Sequence, residues 1–232
     1  SNLKEIFQLK IKKKLIFLFG ITLLFALLAM TLITIKHKKM TNYFEKLEPS
    51  NIYHVYNKSV GDEVLFNSDS DYDYFKNKLA RFILPFCDLY AYCLIPNHFH
   101  LLVKINESSD DSSEEEDIIR NAFSNFFNSY AKSFNKAHDR SGKLFNLPFR
   151  RILVDKDDYF SWLVCYIHRN PVHHHLTNDF RNFKYSSYHE ILHQNGIVNS
   201  EFLIQWFGGL NEFISFHELN IKLADSSKYT LE

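Results

Sequence analysis

Between residues 51 and 190 the apolar positions recur with two different periods, and the changes of period mark out the elements. NIYHVYNKSV (51–60) is dense in β-branched and aromatic residues and predicts a strand, closed by a turn at Gly61 and Asp62. DYDYFKNKLARFILPF (71–86) places its apolar residues at helical spacing, opened by capping-type acids and ended near Pro85. CDLYAYCLI (87–95) and HFHLLVKI (98–105) predict two strands joined by the tight turn Pro96-Asn97, which makes a hairpin. DIIRNAFSNFFNSYAKSFNKAH (117–138) has the stripe of a long amphipathic helix, and RRILVDK (150–156) predicts a further strand. DDYFSWLVCYIHRN (157–170) predicts a helix stopped by Pro171.

The order is β-α-β-β-α-β-α. Its first six elements match a ferredoxin-like split βαβ, an α+β fold with an antiparallel sheet and helices on one face. No internal repeat is visible. Residues 40–190 form the expected domain, and 191–232, apolar in ILHQNGIVNSEFLIQWFGG, a C-terminal helical extension. Ahead of the domain, residues 1–39 contain an uncharged run at 15–35 about as long as the roughly 20 residues a bilayer span requires. Lysines flank both of its ends, so charge assigns no orientation. A membrane segment, a signal peptide and an extension upstream of a true start at Met40 are the three readings of it. Membrane association through 15–35 is one expectation, a cytoplasmic protein the other.

Composition adds compartment and partner. Cys87, Cys93 and Cys165 are odd in number and lack metal-site spacing, which argues against a disulfide scaffold or a zinc knuckle and for a reducing cytoplasm. The 27 basic and 27 acidic residues cancel, but unevenly along the chain. ESSDDSSEEED (107–117) is an acidic block expected to be a solvated loop. From 120 to 151 the charged residues are Arg120, Lys132, Lys136, Arg140, Lys143, Arg150 and Arg151 against Asp139, basic enough to hold a phosphate backbone or to be an ordinary charged surface. Phe123, Phe126, Phe127, Tyr130 and Phe134 share a helical spacing that suits a core better than a base-stacking platform.

Candidate chemistry sits in two places. Alternate strand residues share a face, so His98 and His100 point together while Phe99 points away. Two imidazoles on one face are half a metal site, or a packed pair. In VCYIHRNP, Tyr166 and Asn170 are neighbours on one helical face, where a phenol could sit beside a cation-binding amide or both could be core and cap. Tyr130 is a rival tyrosine without such a partner. His173, His174 and His175, just past the helix, suit its C-terminal dipole in solvent, and His168 lies on a different face.

Taken together, YCLIPNHFHLLVK and YIHRNP, in this order and separated by a basic helix and a strand, resemble the HUH single-tyrosine transposases, in particular their REP-associated branch. The resemblance runs over residues 52–188 and includes FRRILVDKDDYF and YSSYHEIL. It implies the HUH endonuclease fold, with His98 and His100 binding a divalent metal, Tyr166 as the nucleophile and Asn170 as the third protein ligand. Magnesium or manganese is then the cofactor, with zinc, cobalt or nickel accepted in vitro. The implied activity is cleavage and rejoining of single-stranded DNA beside hairpins through a 5′-phosphotyrosine, with Lys132, Lys136, Arg140, Lys143, Arg150 and Arg151 contacting the backbone. Some such proteins act as homodimers. The rival readings are a descendant that binds hairpin DNA without cutting, and a membrane-anchored protein with an incidental ferredoxin-like domain. The membrane-like front end and the length of the acidic insertion depart from the family pattern, and the insertion is expected to shield the site until DNA displaces it.

Overall fold

The computed structural model of the protein describes residues 44–61, 63–107 and 113–219, and of 113–116 the backbone alone. The apolar run 15–35 and residues 108–112 of the acidic insertion lie outside the described residues. Among the described residues no helix is long and apolar enough to cross a membrane.

The elements follow the expected order. Strand β1 is Ile52–Lys58, helix α1 Asp69–Phe82, β2 Cys87–Ile95, β3 His98–Ile105, α2 Ser113–Ala137, β4 Arg150–Leu153 and α3 Asp157–His173. After a 3-10 turn at Phe180–Asn182 come α4 Tyr188–His193, α5 Ser200–Phe207 and α6 Leu210–Leu219. The sheet order is β2-β3-β1-β4, and every neighbouring pair is antiparallel. This is the split βαβ arrangement: each crossover helix carries the chain past one intervening strand.

Local chemistry explains the boundaries. The Asp71 carboxylate accepts the Asn67 and Ser68 backbone N–H groups at 2.9 and 3.0 Å, satisfying donors that the first turn of α1 leaves open. That helix ends at Phe82, before Leu84, whose position ahead of Pro85 disfavours helical backbone. Helix α2 begins at Ser113, inside the stretch expected to be a solvated loop. Pro171 does not stop α3, which runs one turn further to His173. The proline has no N–H to give to the preceding turn, but the carbonyls of Asn170 and Pro171 accept from His174 and Leu176 at 3.1 and 2.9 Å.

One face of the sheet is covered by α1 and α2. Phe75 of α1 meets Phe126 of α2 at 4.9 Å and Phe99 of β3 at 5.1 Å between ring centroids. Phe123, Phe126, Phe127, Tyr130 and Phe134 are all buried there, as core rather than as a stacking platform. Each such ring contributes roughly 1.5–3 kcal/mol on leaving water. Helix α3 lies against the opposite face. A bulge between Leu89 and Ala91 turns the extra residue, Tyr90, toward Phe160 of α3 and Phe202 of α5. The described part of 191–232 packs into the same body: Asn199 N–H donates to Leu89 O at 2.8 Å, and α4 crosses the boundary expected at residue 190. Cys87, Cys93 and Cys165 are buried free thiols.

Candidate active site

The pairing register decides which side chains meet on the α3 face. On β3, His98 and His100 point there; across the ladder, Lys58 faces His98 and Tyr56 faces His100. On β4, Arg150 pairs with Tyr56, and its guanidinium lies 5.6 Å from the Tyr56 ring centre. Helix α3 brings Tyr166 and Asn170 down onto this patch. The Tyr166 ring stands edge-on to His100 with centroids 5.7 Å apart, and Asn170 Oδ1 lies 3.2 Å from His98 Nε2. Residues of two distant motifs are thus gathered at one point. Asn170 is fully buried while Tyr166 is half-exposed, a ligand-type amide below a reachable phenol.

Both histidines are held at their other nitrogen. His98 Nδ1 lies 2.8 Å from Asn97 Oδ1, and His100 Nδ1 lies 2.9 Å from His54 Nε2. Burial pushes His98 down to about 4, helped by the charge of nearby His174, and holds His100 well below the usual imidazole value. Burial alone takes His54 down to about 3. All three rings are therefore neutral near pH 7, the state in which an imidazole offers a lone pair.

His54 went unread in the sequence, since nothing local distinguishes it from the other residues of a buried strand. Its signal was the period of two: His54, Tyr56 and Lys58 alternate in phase with the histidines of β3 once the two strands are paired. Of the three histidines expected in solvent, His173 and His175 are exposed and His174 is partly buried, and two of them also touch the site. Because α3 continues through Pro171, His173 falls on the same face as Tyr166 and stacks on it at 5.7 Å, while the His174 ring lies 4.4 Å from His98. His175 is exposed, in left-handed backbone. His168 is buried away from the site, within 2.9 Å of His217 and 2.8 Å of Ser187 Oγ. Tyr130 is buried too; its hydroxyl donates to Leu65 O at 2.6 Å, and burial raises its phenol far above the ordinary value.

The six basic residues separate by position. Arg150 lines a cavity of ≈ 470 Å³ beside His98, together with Lys58, Asn97, Asn146 and His174. Lys132 and Lys143 line a groove of ≈ 350 Å³ floored by Phe127 and Phe145. Leu147 borders both. Lys136 is exposed one turn beyond Lys132 on α2. Arg140 ties its own loop together through Asn135 Oδ1 at 2.8 Å, Lys143 O at 2.9 Å and Glu63 at 3.1 Å. Arg151 points to the other side of the sheet, where it donates to Glu45 O and lies over Phe149. Among the described residues no group of three or more His, Cys, Asp or Glu side chains is gathered to hold a metal. The ligand set on offer is two imidazoles and one amide oxygen.

No protein-family model matches the chain. Its sequence is similar to a Haemophilus influenzae protein described as a REP-associated tyrosine transposase, 27% identical over 101 residues. The match takes in 43% of this chain and 57% of that relative, so only part of the relative's length is represented. The fold is similar to that of a REP-associated tyrosine transposase solved bound to a REP hairpin, with a TM-score of 0.50 and 15% identity. That likeness covers 67% of this chain and 87% of the solved one. Both of these similar proteins are described by the name of the family that the two motifs resemble.

Proposed function

We propose that this chain, which resembles the REP-associated tyrosine transposases in motif, sequence and fold, is a metal-dependent enzyme that nicks and rejoins single-stranded DNA beside hairpins, with Tyr166 as nucleophile. The observation that carries the reading is the surrounding of His98. A neutral imidazole has one N–H, yet His98 faces two side-chain oxygens, Asn97 Oδ1 at 2.8 Å and Asn170 Oδ1 at 3.2 Å. With the proton donated to Asn97, two acceptors confront each other at Nε2 and Oδ1, a clash that a cation between them relieves. Ligands at about 2.1 Å in octahedral geometry lie roughly 3 Å apart, close to the separation here. Asn170 turns its oxygen to this point although its buried Nδ2 makes no hydrogen bond. The residues therefore fit a divalent ion, magnesium or manganese, held by His98, His100 and Asn170.

Bound there, such an ion supplies neutralisation of charge on the non-bridging oxygens of the scissile phosphate. The chain's own residues supply the rest. Tyr166 stands on the exposed side of the ligand set, its ring set between Trp162 at 5.0 Å and His173 at 5.7 Å. Its hydroxyl loses a proton and attacks phosphorus in line; the new bond is Tyr166 Oη–P, and the bond that breaks is P–O3′. The 3′ oxygen takes up a proton and leaves as a free hydroxyl, while the 5′ phosphate stays on the tyrosine. One phosphodiester replaces another, so a hydroxyl can reverse the step and join strands without ATP.

Lys58 and Arg150 line the cavity beside His98, and Lys132, Lys136 and Lys143 carry positive charge along α2 and the following loop. A single strand passing these positions has the charge it needs along its backbone. The hairpin in the solved relative's complex supports that class of substrate. Tyr166, His98, His100 and Asn170 come from one chain, so the reading requires no exchanged helix. Three buried thiols and a DNA substrate suit a cytoplasmic location.

The test is incubation of the full chain with Mn²⁺ and labelled single-stranded DNA carrying hairpins from the gene's flanks, beside Tyr166→Phe, on a denaturing gel. A covalent protein–DNA band that the variant lacks is expected. Binding without a band for any flank or ion would replace this reading with that of a hairpin-binding protein.

A further inference from the structure

His54 approaches the site from behind the ligands. It shares a sheet face with Tyr56 and, through the β1–β3 register, with His100. His54 and His100 are both fully buried. Their rings are 5.1 Å apart and inclined by 16°, and the Tyr56 ring stacks at 4.7 Å on the first and 5.6 Å on the second. Three rings in near-parallel contact leave His100 little room to rotate about its ring plane.

The bond between His54 Nε2 and His100 Nδ1, at 2.9 Å, holds a single hydrogen, and its owner decides what His100 can do. If His54 donates, His100 accepts at Nδ1 and must carry its own proton on Nε2, presenting a donor that repels a cation. If His100 donates, its Nε2 presents a lone pair. Only the second arrangement makes His100 a ligand.

We infer that His54 is a positioning residue: by accepting at Nε2 it holds His100 in the Nδ1–H tautomer, with the other ring nitrogen aimed at the metal position. The inference rests on the proposed function, since it presupposes a metal at His98, His100 and Asn170. Asn97 plays the corresponding part for His98. The two supports differ in kind. Asn97 Oδ1 can only accept, whereas His54 Nε2 accepts only while the His54 proton sits on Nδ1, so the tautomer of His54 sets that of His100.

Two measurements test this on the full chain without DNA. In ¹⁵N-histidine spectra with saturating Mg²⁺, His100 is expected to be protonated at Nδ1 and His54 unprotonated at Nε2; a protonated His54 Nε2 in the loaded protein overturns the inference. In calorimetric Mn²⁺ titrations, His54→Phe keeps the ring but accepts nothing, and is expected to weaken binding about 10- to 100-fold. His54→Gln, whose side-chain oxygen can accept, is expected to stay within about threefold of wild type. Equal Mn²⁺ affinity of wild type and His54→Phe removes His54 from the site and leaves the proposed function standing. Absence of Mn²⁺ binding by wild type removes both. Should His54→Phe not fold, the spectra of the unaltered chain decide alone.

Discussion

His98 Nε2 and Asn170 Oδ1 lie 3.2 Å apart although 72 positions separate them in the chain. The contact joins the first residue of β3 to the last turn of α3 and depends on two local features. The Pro96-Asn97 turn starts β3 at His98, and the passage of α3 through Pro171 keeps Asn170 inside a helix, with its side chain directed down the same face as Tyr166. A helix ended at Asn170 would leave the amide on a fraying terminus.

Asn170→Ala removes the oxygen and leaves the imidazoles. Mn²⁺ affinity is expected to fall by about one to two orders of magnitude, in the range for removal of a group that supports a bound metal. Titration of the full chain measures it; unchanged affinity would mean that the amide only caps the helix. Manganese is the better probe than nickel here, because His173 and His175 are exposed and imidazole is a favoured nickel ligand.

Tyr130 is the competing phenol, and its position in the core makes a sharp contrast. Tyr130→Phe is expected to keep the covalent adduct at the wild-type rate and to lower stability by about 1 kcal/mol, the usual net worth of a buried hydrogen bond such as that to Leu65 O. Adduct formation and urea midpoints, measured on the same preparation, separate the two effects. Loss of the adduct in Tyr130→Phe with normal folding would move the nucleophile.

The basic residues are expected to divide by what they touch. Arg150→Ala and Lys132→Ala should each weaken single-stranded DNA binding and reduce the slope of log affinity against log salt by about 0.7 for each phosphate no longer neutralised. Arg140→Ala, which breaks the ties to Asn135 and the Lys143 carbonyl, should instead lower stability by about 1 kcal/mol with an unchanged salt slope. Fluorescence anisotropy over a salt series tells the groups apart; an altered slope in Arg140→Ala would place that residue on the DNA.

Stability should also respond to pH in a defined direction. Burial lowers His54 to about 3 and His98 and His217 to about 4, against an ordinary value of 6.5. Below 6.5 the unfolded chain takes up protons that the folded chain refuses, so unfolding becomes easier as pH falls from 6.5 toward 4. Above about pH 7 both states are neutral and the contribution is full and level. Each buried ring accounts for about 1.4 kcal/mol per pH unit inside the window. Urea midpoints are expected to be flat from pH 8 to 7 and to drop steadily below 6.5; a midpoint unchanged down to pH 5 would contradict the burial of these rings in neutral form.

Much of the fold was legible because it is written locally. Alternation in HFHLLVKI, the turn at Pro96-Asn97 and the helical stripe from Phe123 to Phe134 are short-range patterns, and strand and helix geometry translate them directly into faces. His98 and His100 were readable as a same-face pair for that reason, and Tyr166 with Asn170 likewise. Where α3 ends was misread, because a proline disfavours only the backbone preceding it and removes one donor, and the packing of α3 on the sheet outweighs that loss.

What the sequence by itself determined is the identity of these elements and the resemblance carried by PNHFHLLV and YIHRNP. What only the tertiary structure decided is which faces meet. Strand pairing set His54 behind His100, put Arg150 beside Tyr56, and sent Arg151 to the opposite side, a difference of one residue that a period of two makes absolute. Packing of α3 brought His173 and His174 back onto Tyr166 and His98. The physical reason is range: periodicity encodes the direction of a side chain relative to its own backbone, whereas its neighbours across the sheet follow from register and burial, summed over the whole core.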